Sequence, residues 1–169
     1  MGQNLDQVRN MYDTVAKEYA AAFSGEHENK PKDREILLRF SEGIGDKRPV
    51  WDFGCGPGQT ANYLKTLGIE ISGLDLSEKM LEQARTIHPD IPFRKGNILD
   101  LEFKNNSIAG AVAFYAIVHF TEEQVETIIR EPYPGVEYES RRAYVFAIKP
   151  GERPCSTTTF GATMREHLA

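Results

Sequence analysis

The sequence predicts an α/β domain organised on a doubly wound, mostly parallel sheet, and three stretches carry that expectation. Val50-Trp51-Asp52-Phe53 is a short apolar run that breaks at Gly54, Gly56 and Gly58, and a helical pattern follows from Gln59 to Leu67. Ile69–Asp75 repeats the plan: a short strand ends in an acid, and a helix opens at Ser77, a good N-cap. Ser107–Tyr115 is apolar throughout, as a parallel strand covered on both faces must be.

Taken from the start, Asn4–Ala22 places Leu5, Val8, Met11, Tyr12, Val15, Ala16 and Tyr19 at helical spacing, an amphipathic helix with one face for the domain. Phe23–Pro31 reads as a polar loop, and Lys32–Phe40 resumes a helix with Ile36, Leu37 and Phe40 inward. Gly43, Gly45 and Pro49 lead into the first strand, where Trp51 and Phe53 suit burial. The glycines that end it take φ > 0 at little cost and let the backbone approach a ligand. The open N-terminus of the next helix turns unpaired N–H donors into the same space. That is the plan of a cofactor turn. The dinucleotide fingerprint G-x-G-x-x-G does not fit, because Gln59 stands where its last glycine or alanine belongs. An ordinary αβ turn without a ligand is the other reading of the three glycines.

What runs from Asp52 to Gly58 is D-x-G-x-G-x-G, which resembles motif I of class I S-adenosylmethionine-dependent methyltransferases. The resemblance covers Tyr12 to Pro150. It implies a Rossmann-like fold, S-adenosylmethionine as cofactor with S-adenosylhomocysteine as product, and transfer of a methyl group to an acceptor. It makes Asp52, Gly54, Cys55, Gly56 and Gly58 cofactor contacts, with Asp52 orienting the turn and reaching the amino end of the methionine moiety, although Cys55 by itself reads as a small packing residue. It also implies that Tyr12-Asp13-Thr14-Val15-Ala16 through Tyr19 forms a lid over the cofactor, which adds Tyr19 to the contacts; lid and packed helix are compatible. Asp75, at the tip of strand two, suits a ribose, since a carboxylate accepts from both the 2′- and 3′-hydroxyls. The alternative is a solvated loop acid. Leu76 and Met80 either wall the adenine or only pack the core.

Ile91–Gly96 reads as strand three. After it, the resemblance brings Asn97 to the adenine amino group and the Ile98 backbone N–H to a ring nitrogen. The family commonly has Asp at the place of Asn97 and another near Ala109; this chain has neither, although an amide oxygen still accepts from an amine. The resemblance also implies that Tyr115 and Ala116 border the methionine part of the cofactor. His119 follows at the carboxyl end of the fourth strand, where imidazole near neutrality takes a proton. His119 and Tyr115 are the substrate-side candidates for catalysis, against a packed histidine bonded to backbone. No N/D-P-P-Y motif supports methylation of an exocyclic base amine.

Thr121-Glu122-Glu123-Gln124 is a capping box, and Val125, Ile128 and Ile129 give the inward face of a helix that Glu131–Gly135 ends. Glu137–Pro150 looks like the family's last strand, arriving without the strand and helix that a full member supplies first. The expectation is a sheet shortened relative to the seven-stranded methyltransferase fold, with a deletion near Ile129–Arg130 and an antiparallel last strand beside strand four. An exposed edge of that kind invites a homodimer. The division expected is a methyltransferase-like domain over 1–150, with a helical lid at 1–45, a cofactor-binding core at 46–120 and a helix plus final strand at 121–150. A polar tail at 151–169 follows.

At 169 residues the length suits one domain with a real core. Hydrophobic residues make up 40% and charged residues 27%, which is ordinary for a globular protein. The formal charge of −5 argues against nucleic acid and against an anionic membrane, and favours a small-molecule methyl acceptor. Cys55 and Cys155 form no C-x-x-C pair, so neither a disulfide framework nor a metal site is expected. The chain opens on no charged-then-apolar leader and carries no apolar run of membrane length, so a reducing cytoplasm is expected. Three competing readings stand beside the methyltransferase: a nicotinamide-dependent oxidoreductase, a silent remnant that binds cofactor or a partner chain, and an αβ domain with no ligand.

Overall fold

A computed structural model describes residues 4–44, 49–101, 103, 107–121, 123–125, 137–139 and 144–148. Helix α1 spans Leu5–Phe23, capped by Asn4, whose side chain accepts the Asp6 N–H at 2.8 Å. Helix α2 spans Pro31–Gly43, with proline at its first position, where the missing N–H costs nothing. Between them the expected polar loop holds a 3-10 turn at Glu26–Asn29. Its ordering comes from His27, which is buried against the rings of Tyr63 and Phe114 and lies 3.1 Å from the Thr60 hydroxyl. A histidine in a polar sequence gave no sign of that burial.

The sheet has the order β3-β2-β1-β4-β6-β5, made of β1 Val50–Phe53, β2 Ile71–Asp75, β3 Phe93–Lys95, β4 Gly110–Phe114, β5 Glu137–Glu139 and β6 Tyr144–Ile148. Strands β3, β2, β1 and β4 are parallel, with Asp52 beside Gly73 on one side and Val112 on the other. Helices α3 (Gln59–Thr66) and α4 (Glu78–Ile87) make the crossovers from β1 to β2 and from β2 to β3. The chain therefore winds outward from β1 and then returns to its other flank as β4. The order reverses between β1 and β4, the place where open α/β sheets bind ligands. β4 is buried along its whole length. Val112 and Phe114 join one core cluster with Val50, Leu37 and Leu64, while Ala111 and Ala113 join a second with Phe53 and Leu74. Alternate side chains thus feed cores on opposite faces, which is why the strand reads as a continuous apolar run.

Several boundaries differ from the sequence reading. β2 starts at Ile71, not Ile69, because the Ile69 N–H turns back to the Leu64 carbonyl and closes α3. β3 is Phe93–Lys95, shorter than Ile91–Gly96, since Ile91 bonds back to His88 and Pro92 has no N–H to donate. The single strand expected over Glu137–Pro150 is two: β5 pairs antiparallel with β6, and β6 pairs antiparallel with β4. The capping box is present, with the Gln124 N–H donated to the Thr121 hydroxyl and the Thr121 N–H to the Gln124 carbonyl oxygen. The inward face at Ile128 and Ile129, the shortening near Ile129–Arg130 and the tail at 151–169 lie outside the described residues. No helix among the described residues is long and apolar enough to cross a membrane.

Candidate functional site

A cleft opens at the carboxyl ends of β1 and β4, floored by the glycine turn. Gly54, Gly56 and Gly58 have φ of 69°, 52° and 87°. The turn is hung on strand β2, since the Gly54 and Cys55 N–H groups both donate to the Leu74 carbonyl, at 2.7 and 3.1 Å. The glycines differ in what they permit. A Cβ on Gly54 would sit 2.4 Å from the Cβ of Ala116, so the turn after β4 lies directly against it. A Cβ on Gly56 would meet nothing within 4 Å, because its Cα faces the open cleft. Gly58 is set apart from the other two by its neighbours: a Cβ there would lie 2.7 Å from the Phe93 ring and 3.1 Å from the His88 ring. Its role is to seat α3 against that side of the domain.

Two acids face this turn from adjacent strands. Asp75 accepts the Gly56 N–H on Oδ2 and the Ser77 N–H on Oδ1, each at 2.8 Å. Burial pushes its carboxyl above the ordinary carboxylate value, while bonds from Ser77, Gly56 and Leu76 pull the other way. A carboxylate offers about four lone-pair positions, so Asp75 keeps capacity for further donors. Asp52 is 1% exposed, and its Oδ2 has no hydrogen-bond partner among the described residues. Its carboxyl is pushed well up, first by burial and then by the charge of Asp75, against one backbone bond from Ala61.

Helix α1 closes the cleft from above. Asp13 Oδ1 accepts from the Ser77 hydroxyl at 2.6 Å and from the Lys79 N–H at 3.2 Å, which ties α1 to the start of α4. Next to it, the Tyr12 hydroxyl lies 2.9 Å from His119 Nε2, with the two rings edge to face at 5.6 Å. Burial raises the Tyr12 phenol above its ordinary value and pushes Tyr19 to about 12, so both stay protonated at neutral pH. Tyr19, Cys55, Leu76, Met80, Asn97, Ile98 and Tyr115 all line the cleft. Met80 both lines the cleft and is buried in the body of the domain. Asn97 turns its carbonyl oxygen back to the Leu99 N–H at 3.0 Å, which uses one of that oxygen's two lone pairs.

Tyr115 leaves β4 with φ of 59°, a left-handed conformation rare for a bulky side chain. Its hydroxyl donates to the buried Asp33 at 3.1 Å, and the Lys30 ammonium lies 4.6 Å from its ring centre. Glu26 and Gln59 also line the cleft, and neither was singled out as a contact from the sequence. The Gln59 amide N–H donates to Glu26 Oε2 at 3.2 Å, and Lys30 pairs with Glu26. The one available signal was the placement of Gln59 directly after the last glycine; Glu26, in a polar stretch, gave none.

A methyltransferase domain family model matches residues 50–134, which takes in the glycine turn, both acids, β4 and His119. The chain is 29% identical over 111 residues to the O-methyltransferase resE of Aspergillus sclerotiorum, covering 60% of this chain and 41% of that protein. It is 25% identical over 134 residues to the demethylmenaquinone methyltransferase of Paenarthrobacter aurescens, covering 77% of this chain and 52% of that one. Among solved structures it superposes on magnesium protoporphyrin IX methyltransferase from Synechocystis PCC 6803, determined with bound SAM, with a TM-score of 0.57. Identity there is 14%, over 85% of this chain and 96% of that one, which is a likeness of fold. The chain spans between 18% and 52% of the length of the first curated relatives it matches.

Proposed function

The chain belongs to the methyltransferase domain family, and from that membership we infer that it binds S-adenosylmethionine in the cleft and transfers its methyl group to a small molecule. The observation that carries this reading is Asp75 at the tip of β2, bonded to the glycine turn through Gly56 and with acceptor capacity left for a ribose hydroxyl. The residues present fit the cofactor. Gly56 leaves backbone open to a ligand, Asp75 offers acceptors for a ribose, and Leu76, Met80 and Ile98 supply an apolar wall for a base. Asp52 Oδ2 is a buried oxygen without a hydrogen-bond partner among the described residues.

When bound, a sulfonium cofactor supplies an electrophilic methyl group and a leaving group that sheds positive charge. The chain's work is to align the acceptor and to exclude water, which α1 does by covering the cleft with Tyr12 and Tyr19. An acceptor that must lose a proton needs a base. His119 stands in the cleft with Nε2 against the Tyr12 hydroxyl; in the tautomer that donates Nε2–H to that hydroxyl, Tyr12 fixes the ring and Nδ1 is the atom that takes the proton. The small-molecule acceptor is supported by the acidic net charge and by relatives named as O-methyltransferases.

Calorimetry with S-adenosylmethionine and S-adenosylhomocysteine on the parent and on Asp75→Ala tests the reading. The parent is expected to bind both, and the variant to lose at least about tenfold in affinity. The melting temperature of each protein without ligand separates loss of contacts from collapse of the turn. Equal heats in parent and variant would defeat the ribose assignment.

A further inference from the structure

One wall of the cleft is a short segment outside the sheet. Glu26–Asn29 is the 3-10 turn between α1 and α2, and Glu26 lines the cleft. Its Oε2 accepts from the Gln59 amide at 3.2 Å, at the start of α3. Lys30, directly after the turn, pairs with Glu26, and its ammonium lies 3.4 Å from the Tyr115 hydroxyl and 4.6 Å from the centre of that ring. The segment therefore braces both flanks of the cleft, the helix that follows β1 and the turn that follows β4. What seats it is His27. That residue is 6% exposed, with its ring 5.4 Å from Tyr63 on α3 and 5.7 Å from Phe114 on β4. Nε2 lies 3.1 Å from the buried Thr60 hydroxyl, and Thr60 and Phe114 both line the cleft. Nδ1 is buried without a hydrogen-bond partner among the described residues.

This pocket suits a neutral ring. In the tautomer that donates Nε2–H to Thr60, only a lone pair is left unpaired at Nδ1. Protonation makes that atom a second donor without an acceptor and buries a full charge, which costs more. Glu26 beside it and Asp33 on α2 favour the charged ring and Lys30 opposes it, while Tyr63 and Thr60 on α3 and Phe114 on β4 bring no charge at neutral pH. Burial is the largest influence and holds the imidazole below its ordinary value. We propose that His27 is a positioning residue: its neutral ring, bonded to Thr60, seats the segment from Glu26 to Lys30 against both flanks of the cleft, and protonation unseats that segment and weakens ligand binding. The proposal takes its ligand from the S-adenosylmethionine reading above and adds a residue outside the cleft that controls occupancy. A histidine lowered in the folded state contributes stability that is fully present above its unfolded value of about 6.5 and is lost as pH falls below it. The raised carboxyl of Asp52 acts in the opposite direction, so the effect of His27 is read against a variant and not from the parent alone.

The test follows S-adenosylhomocysteine binding by calorimetry and ligand-free melting between about pH 7.5 and about pH 5.5. The proteins are the parent, His27→Gln, whose amide can still donate to Thr60 but does not titrate, and His27→Phe, which keeps a ring and loses the bond. Affinity in the parent is expected to fall about threefold or more over that range beyond any fall in His27→Gln, with a matching extra loss of melting temperature. His27→Phe should bind more weakly than His27→Gln at the upper pH, since only the amide restores the bond to Thr60. A measurement on the parent alone keeps the idea open to defeat if the variants fold poorly. The His27 ring, titrated by NMR, should take its proton at lower pH in the complex than in the free protein, because a ligand that prefers the neutral ring lowers its proton affinity. Parallel pH profiles in parent and His27→Gln, or a titration that the ligand does not move, overturn the proposal and leave the cofactor assignment standing. A pH effect on melting with none on binding reduces His27 to a structural residue and overturns it equally. If the parent binds no S-adenosylhomocysteine at any pH, the cofactor assignment fails and the link to binding falls with it.

Discussion

The turns after β1 and after β4 do the same geometric job by opposite means. Both leave a parallel strand at the switch point of the sheet, both enter the left-handed region, and they touch where Gly54 meets Ala116. The first turn uses glycine at each such position, so its backbone takes the left-handed region without side-chain strain. The second uses Tyr115 at φ of 59°, and a side chain there pays in strain. Its conformation is supported from outside, by Asp33 and Lys30 reaching across from α2 and the residue before it. A turn built from glycine reaches its conformation without strain and is hung on the neighbouring strand through its backbone, whereas a turn built on tyrosine is supported through its side chain from α2.

The largest break in this comparison is expected from Gly54→Ala. It adds a Cβ 2.4 Å from another Cβ at a positive φ, and a loss of about 2–4 kcal/mol in urea unfolding follows from overpacking plus strain. The double variant Gly54→Ala/Ala116→Gly should recover the overpacking part; if it recovers nothing, the two turns do not meet as described. Next comes Tyr115→Phe, which removes the donor to the buried Asp33. A cost of about 1–3 kcal/mol is expected by the same measurement. Stability equal to the parent would mean that the scaffold does not hold the second turn. Gly56→Ala is milder, about 1–2 kcal/mol from the left-handed backbone alone, since its Cβ meets no atom. Its methyl group enters the cleft, so affinity for S-adenosylhomocysteine should fall more than stability does.

Asp52→Asn is expected to cost no stability at neutral pH and to raise it. Burial lifts the folded-state carboxyl of Asp52 above its unfolded value of about 4. Its contribution is therefore fully present below about pH 4 and is lost as pH rises through the higher folded value. Melting of the ligand-free protein from pH 4 to 8 should show a steeper decline for the parent than for the variant. Affinity for S-adenosylhomocysteine should drop in the same variant. A parallel pair of melting curves would remove the buried charge from the account.

The difference between the two turns also explains what could be read from the residues alone. The strand, glycine turn and helix at 50–67 and the acid at Asp75 were legible because a positive φ or a strand tip constrains residue type within a few positions. β4 was legible because a two-faced strand must be apolar along its length. At Gly58 the sequence says that glycine is needed, but not that the Phe93 ring is what a side chain would hit. Tyr12 and His119 meet across 107 positions of chain, and Tyr115 and Asp33 across 82. Pairs of that kind leave no local pattern, and the ordering of Glu26 by a buried histidine beside it leaves none either.

One turn of α1 grips both sides of the cleft, Asp13 on the start of α4 and Tyr12 on His119. The same helical turn is thereby tied to both walls of the cleft, so the donor and the acceptor are expected to share one kinetic gate. Release of S-adenosylhomocysteine should then quicken in Asp13→Ala and in Tyr12→Phe alike when followed by rapid mixing. Dissociation that responds to only one of the two changes would divide that gate in two.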